Sequence, residues 1–263
     1  MLNKSTAKKF GEQRFCNLCH IIKKLIQKDR LQFDILIAAG NSGLSVVRFT
    51  ELIYQELGQN VPEKLLIPFF RYFPGHKDNP DKAFDIKIFF PEIVNQVRNL
   101  NKEIKNVLFV DDEIGLGITA TSILTLINLA LKEIGKPTIN NYYIIAEDLG
   151  FKIPKNHPEI KFIPLEFGLR GYNDVIFYLN PPRFEKKIID VLGNNDRFAF
   201  YYRTNILLDL PIKDFNSGMP IYTDNFLKIM REKIPNFQKI QKAYLAYIKQ
   251  LIKNCLENKL KGH

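Results

Sequence analysis

Asp111 and Asp112 stand side by side where an apolar run, Val107-Leu108-Phe109-Val110, gives way to Glu113-Ile114-Gly115-Leu116-Gly117-Ile118-Thr119. Adjacent carboxylates can accept hydrogen bonds from sugar hydroxyls, or hold Mg²⁺ through its water shell. Glycines directly after them let main-chain amides close around an anion. Acids beside an amide cradle suit a phosphorylated sugar. The elements that would position them are legible around them. An apolar run without polar interruption reads as a strand buried on both faces, the usual state of a parallel strand. Ala120 to Leu131 then carry apolar residues at helical spacing. The unit is strand, acidic pair, Gly-rich turn, helix. In open parallel sheets ligands bind outside the carboxyl ends of strands, and a helix N-terminus attracts anions.

A second unit of the same kind lies upstream. Phe33 to Ala38 read as a strand, Ala39-Gly40-Asn41-Ser42-Gly43 as a permissive loop, and Leu44 to Leu57 as an amphipathic helix that Gly58 is placed to stop. The loop again offers amides to an anion. Lys64 to Arg71 read as the next strand, and Pro68, lacking an N–H, points to a sheet edge. From Tyr72 to Asp85 periodicity is lost among Pro74, Gly75, His76, Lys77, Asp78, Asn79 and Pro80. A long segment of this composition inside a domain reads as a lid or binding loop, with a solvated surface loop as the alternative.

The segment around Asp111 resembles the signature of the type I phosphoribosyltransferases, in which a hydrophobic strand, an acidic pair and a short Gly/Thr loop follow one another. That resemblance implies a Mg²⁺-dependent transfer of a 5-phosphoribosyl group from phosphoribosyl pyrophosphate to a nitrogenous base, with release of pyrophosphate. It implies that Asp111 and Asp112 meet the ribose hydroxyls and hold the metal through water, and that Gly115, Leu116, Gly117, Ile118 and Thr119 wrap the 5′-phosphate. Ala39, Gly40, Asn41, Ser42 and Gly43 match the loop that holds pyrophosphate, and Arg71, His76 and Lys77 match the basic residues of the strand end and lid. Gly115 stands where the 6-oxopurine branch carries an aspartate, and Leu116 and Ile118 replace small or polar residues, so no general base is assigned. A non-catalytic module that binds phosphoribosyl pyrophosphate as a regulator is the alternative. The Asp-Asp-Glu run also resembles the start of a response-regulator receiver domain. The acceptor aspartate of such a domain should then lie near Lys155 to Asn156, and the nearest aspartates are Asp148 and Asp174.

The 263 residues divide by pattern into an N-terminal helix (1–30), an α/β core with a doubly wound, mostly parallel sheet (31–167), and an aromatic, basic, largely helical extension (168–263). Tyr172, Phe177 and Tyr178 are aromatics placed to stack on a base, although core packing is the commoner fate of such residues. The last helix repeats apolar positions from Phe237 to Leu256, a face for the core or for a partner subunit in a homodimer. A net charge of +10 suits a polyanionic ligand. The C-terminal lysines read as a solvated helix face, and without a zinc-finger or RNA-binding motif nucleic acid is not the expected partner. Neither a membrane-spanning run nor a secretory leader is visible, so a cytoplasmic location is expected. Cys16-Asn17-Leu18-Cys19-His20 matches a haem-attachment pattern, but Phe15, Leu18, Cys19, Ile22 and Leu25 recur at helical spacing and read as a buried stripe. Three cysteines suggest no disulfide framework.

Overall fold

In the computed structural model the described residues are 4–67, 86–100, 103–167, 207–208, 210, 213–214, 221–222 and 231–257. Helix α1 (Lys4–Lys23) runs into a π-helical turn (Lys24–Lys28), followed by β1 (Ile35–Ala39), α2 (Gly40–Glu56), β2 (Glu63–Ile67), α3 (Ile86–Asn99) and β3 (Asn106–Ile114). Then come α4 (Ile118–Glu133), β4 (Asn141–Asp148) and β5 (Ile160–Phe167), a short two-stranded pairing of β6 (Lys213–Asp214) with β7 (Ile221–Tyr222), and α5 (Phe237–Leu256). The five long strands form one parallel sheet in the order β2-β1-β3-β4-β5. The α/β, parallel, helix-covered architecture expected from the sequence is therefore present, with β2 at one edge of the sheet, while Pro68 lies outside the described residues.

Strand order and helix placement follow one rule. The chain moves one way across the sheet from β1 to β2, then the opposite way to β3 and β4, and right-handed crossovers must put the respective helices on opposite faces. One face buries Leu36, Ala38, Leu108, Val110, Tyr143 and Ile145 under α1, α2 and α5. The other buries Ile35, Ile37, Val107, Phe109, Tyr142 and Ile144 under α3 and α4. The strict alternation of these sets along each strand is the two-residue period of a sheet covered on both sides.

The N-terminal and C-terminal helices share the first face. Phe15 of α1 meets Phe49 of α2 edge to face, with ring centroids 5.1 Å apart. Tyr244, Ile248 and Ile252 of α5 are fully buried in the same cluster. The buried stripe expected for α1 is present: Phe15, Leu18, Cys19 and Ile22 are each 0% exposed. Contrary to the cysteine reading, Cys16 is joined to Cys255 by a disulfide. His20 Nε2 lies 2.8 Å from the Cys255 carbonyl, and Lys23 Nζ donates to the Leu256 carbonyl at 3.1 Å. The Lys23 ammonium at the carbonyl end of α5 offsets its dipole. Cysteines and histidine are thus all spent on helix packing. Among the described residues no helix is long and apolar enough to cross a membrane.

Two boundaries differ from the sequence reading in ways that matter for the site. The strand β3 runs on through Asp111, Asp112 and Glu113 to Ile114 instead of ending at the acids. The segment Ala39–Gly43 is not a loop, because β1 ends at Ala39 and α2 starts at Gly40. Gly40 has φ +59°, a left-handed turn that takes the chain from strand to helix in one residue.

Candidate functional site

The sheet order reverses between β1 and β3, and a crevice outside the carboxyl ends of such a strand pair is where open α/β sheets bind ligands. Asp111 and Asp112 stand at that end of β3. The pairing of β3 with β4 steps from Val110↔Ile145 to Glu113↔Glu147, so two residues, Asp111 and Asp112, oppose the single Ala146. This is a β-bulge, which breaks strict alternation and re-aims side chains. The Asp112 amide donates to Asp111 Oδ1 at 3.0 Å, and a hydrogen bond joins the two carboxyl groups. Burial, and then the charge of Asp111 and that shared hydrogen bond, push the Asp112 carboxyl well above the usual carboxylate range, against backbone amides that pull it down. The shift favours the protonated form of Asp112 beside Asp111.

Asp111 lines a cavity of about 310 Å³, and so do all five residues of the turn, Gly115, Leu116, Gly117, Ile118 and Thr119. Asp112, 6% exposed, is not among the lining residues. Phe109 also lines the cavity and stacks on Tyr142, ring centroids 6.1 Å apart. The Tyr142 hydroxyl donates to the Ala120 carbonyl at 3.2 Å, and burial, with the charge of Asp111, keeps it protonated far beyond neutral pH. The opposite wall is the first turn of α4, where Ile118 and Thr119 bring main-chain amides at the positive end of a 16-residue helix.

The turn is shaped by Gly117. It caps α4 at φ +72°, and a Cβ there would fall 2.1 Å from Cε2 of Phe151. Only glycine satisfies both conditions. Phe151 is itself fixed, since Asp148 Oδ1 accepts from the amides of Gly150 and Phe151 at 2.8 Å each. The Leu149 amide donates to the Ile114 carbonyl at 2.9 Å, and Leu149 closes the cavity from this side. The β4–β5 connection therefore clasps the β3–α4 turn. Leu116 projects from it and is 83% exposed.

The expected pyrophosphate segment takes a different form. Its residues make the first turn of α2, and a Cβ on Gly43 would stand 3.4 Å from the Ala38 backbone and 3.8 Å from the Val110 carbonyl oxygen. The helix N-terminus thus abuts β3 one residue before Asp111, although none of Ala39 to Gly43 is among the residues that line the cavity. Arg71, His76 and Lys77 lie outside the described residues, as do Tyr172, Phe177 and Tyr178.

One ion pair escaped the sequence reading. Arg14 of α1 donates to Glu147 at the end of β4, and both side chains are shielded from solvent. Glu147 is the register partner of Glu113, the residue after the bulge. A charged side chain set within the apolar stripe of α1 was the signal available for it. As to metals, no group of three or more His, Cys, Asp or Glu side chains among the described residues converges to hold one. Asp111, the member of the pair that lines the cavity, fits Mg²⁺, which keeps most of its water and takes one or two carboxylates together with substrate phosphates.

Comparison with protein-family models, with curated proteins and with solved structures found no match.

Proposed function

We propose that this site binds phosphoribosyl pyrophosphate and that the protein is a Mg²⁺-dependent phosphoribosyltransferase with the phosphoribosyltransferase-like variant of the doubly wound fold. One observation carries the reading: Asp111, set in a bulge beside Asp112, and the amide-bearing first turn of α4 line a single cavity at the carboxyl end of β3. An activated, phosphorylated ribose needs that combination. Asp111 accepts hydrogen bonds from the ribose hydroxyls, and its charge favours the cationic character that develops at C1 as pyrophosphate departs. The turn from Gly115 to Thr119 holds the 5′-phosphate on main-chain amides and fixes the ribose for in-line attack. The N-terminus of α2, which approaches Val110, would offer amides to the leaving pyrophosphate. Asp112 positions Asp111 through the hydrogen bonds between them. Mg²⁺, held through water by Asp111 and by the donor's pyrophosphate, would neutralise phosphate charge.

The burial of Asp112 away from the cavity favours a second reading, in which the pocket binds the donor without turnover. Pyrophosphate release from the magnesium-loaded donor, measured across a panel of purine and pyrimidine bases, separates the two. Release with at least one base supports the transferase. Binding without release for every base supports the module, and neither binding nor release removes both.

A further inference from the structure

The C-terminal helix α5 has two faces of opposite character. Phe237, Gln241, Tyr244, Ile248, Leu251, Ile252 and Cys255 are buried against α1 and α2, whereas Lys239, Lys242, Lys249 and Lys253 are exposed. At about 100° per residue these four lysines fall within a stripe roughly 80° wide, centred about 145° around the helix from the buried face. The stripe extends about 21 Å along the helix axis. Between the lysines the exposed positions are Ala243, Ala246 and Gln250, and the twenty residues of the helix include no aspartate or glutamate. At the head of the stripe Arg231 joins Lys239 and Lys242 around a hollow of about 470 Å³. The sequence alone reads these lysines as a solvated face. Their alignment on one rail, with no acid within the helix and the exposed Glu232 and Glu257 beyond its two ends, gives them a direction.

We propose that this outer face of α5 binds the phosphodiester backbone of a nucleic-acid duplex, independently of base sequence. The chemistry of the face selects that partner. A row of cations without an intervening acid matches a duplex that presents one negative charge per about 1.7 Å of axis. Single-strand binding would call for exposed aromatic rings on which bases stack, and the stripe has none. Docking on a lipid surface would call for large apolar side chains to insert between headgroups, and the residues between the lysines are alanine and glutamine. Lysine contacts to phosphate position a protein on nucleic acid without reading bases. This surface and the cavity at the sheet reversal are separate features, and neither proposal depends on the other.

Fluorescence anisotropy with a short labelled DNA duplex, repeated over a series of salt concentrations, tests it on the full chain. The wild-type protein should bind with a slope of log K against log salt of about −3 to −4, one phosphate neutralised per lysine. Lys239→Gln, Lys242→Gln, Lys249→Gln and Lys253→Gln together should remove most of that slope and weaken low-salt binding by about a hundredfold, and the four Lys→Arg replacements should retain both. Lys249→Gln alone should lower the slope by about one, which keeps the test decisive if the fourfold Gln variant loses its circular dichroism spectrum. Absence of duplex binding at low salt would overturn the proposal. So would a wild-type slope in the Gln variant, equal losses in the Arg and Gln variants, or binding to phosphatidylserine vesicles without binding to duplex.

Discussion

Arg14 and Glu147, 133 residues apart in the chain, form an ion pair that solvent does not reach, and it ties the N-terminal helix to the strand beside the acid pair. Removing one partner from such a pair leaves a buried charge uncompensated, whereas replacing both with apolar residues of similar volume restores balance. Arg14→Met should therefore destabilise the protein by about 3–5 kcal/mol, and Glu147→Met by a similar amount. The double replacement should come back to within about 1 kcal/mol of wild type or exceed it. Urea unfolding midpoints check this. Additive losses in the double variant would show that the two side chains act independently.

Gly117 is the position where the turn tolerates least. Gly117→Ala forces a side chain into a left-handed conformation at about 1–2 kcal/mol and sets its Cβ against the Phe151 ring. Adding Phe151→Ala should relieve the steric part of the loss and leave the conformational part. Thermal unfolding of the single and double variants measures both. No loss in Gly117→Ala would mean that the turn is not held as described.

Asp112 should make stability fall as pH rises. Its carboxyl titrates well above the unfolded value because of burial and then the neighbouring Asp111 charge, so the folded state binds the proton more tightly than the unfolded chain. The associated stabilisation is complete below the unfolded value, near the ordinary pKa of 3.8, and is lost as pH climbs through the raised folded value. Asp112→Asn has no proton to lose. In metal-free buffer its stability relative to wild type should grow from acid to neutral pH, followed as unfolding midpoints at several pH values. A difference independent of pH would contradict the assignment.

The Cys16–Cys255 bond closes a sequence separation of 239 residues, so it restricts the unfolded chain strongly, and its loss should cost about 2–5 kcal/mol. Cys16→Ser should lower the melting temperature, and a reducing agent should lower that of wild type without altering the variant. Such bonds persist in oxidising surroundings and are rare where glutathione keeps thiols reduced, which stands against the cytoplasmic expectation. Thiol counting on the denatured, unreduced protein should find one reactive cysteine, Cys19; three would show the bond to be absent.

The parts of the structure that depend on neighbours in sequence were legible there. Val107 to Val110 read as a strand covered on both sides, and each is buried to at least 99%. Gly58 reads as a helix stop, and it has positive φ. The parts that depend on distant segments were not legible. Asp111 and Asp112 are adjacent in any reading, but that they share the position opposite Ala146 is a property of β3 paired with β4. The extension of β3 to Ile114 has the same cause. Gly40 is compatible with a loop or with a one-residue turn into α2, and only the packing of α2 against β1 and β3 chooses between them. Cys16 meets Cys255, and Arg14 meets Glu147, through a fold that brings both ends of the chain onto one face of the sheet.

Isothermal titration of the protein with magnesium-loaded phosphoribosyl pyrophosphate tests the central claim most directly, that Asp111 and the Gly115–Thr119 turn grip an activated ribose. The account predicts saturable heat for wild type and at least tenfold weaker binding for Asp111→Asn at unchanged thermal stability. No heat from wild-type protein, or equal affinity in Asp111→Asn, would contradict it.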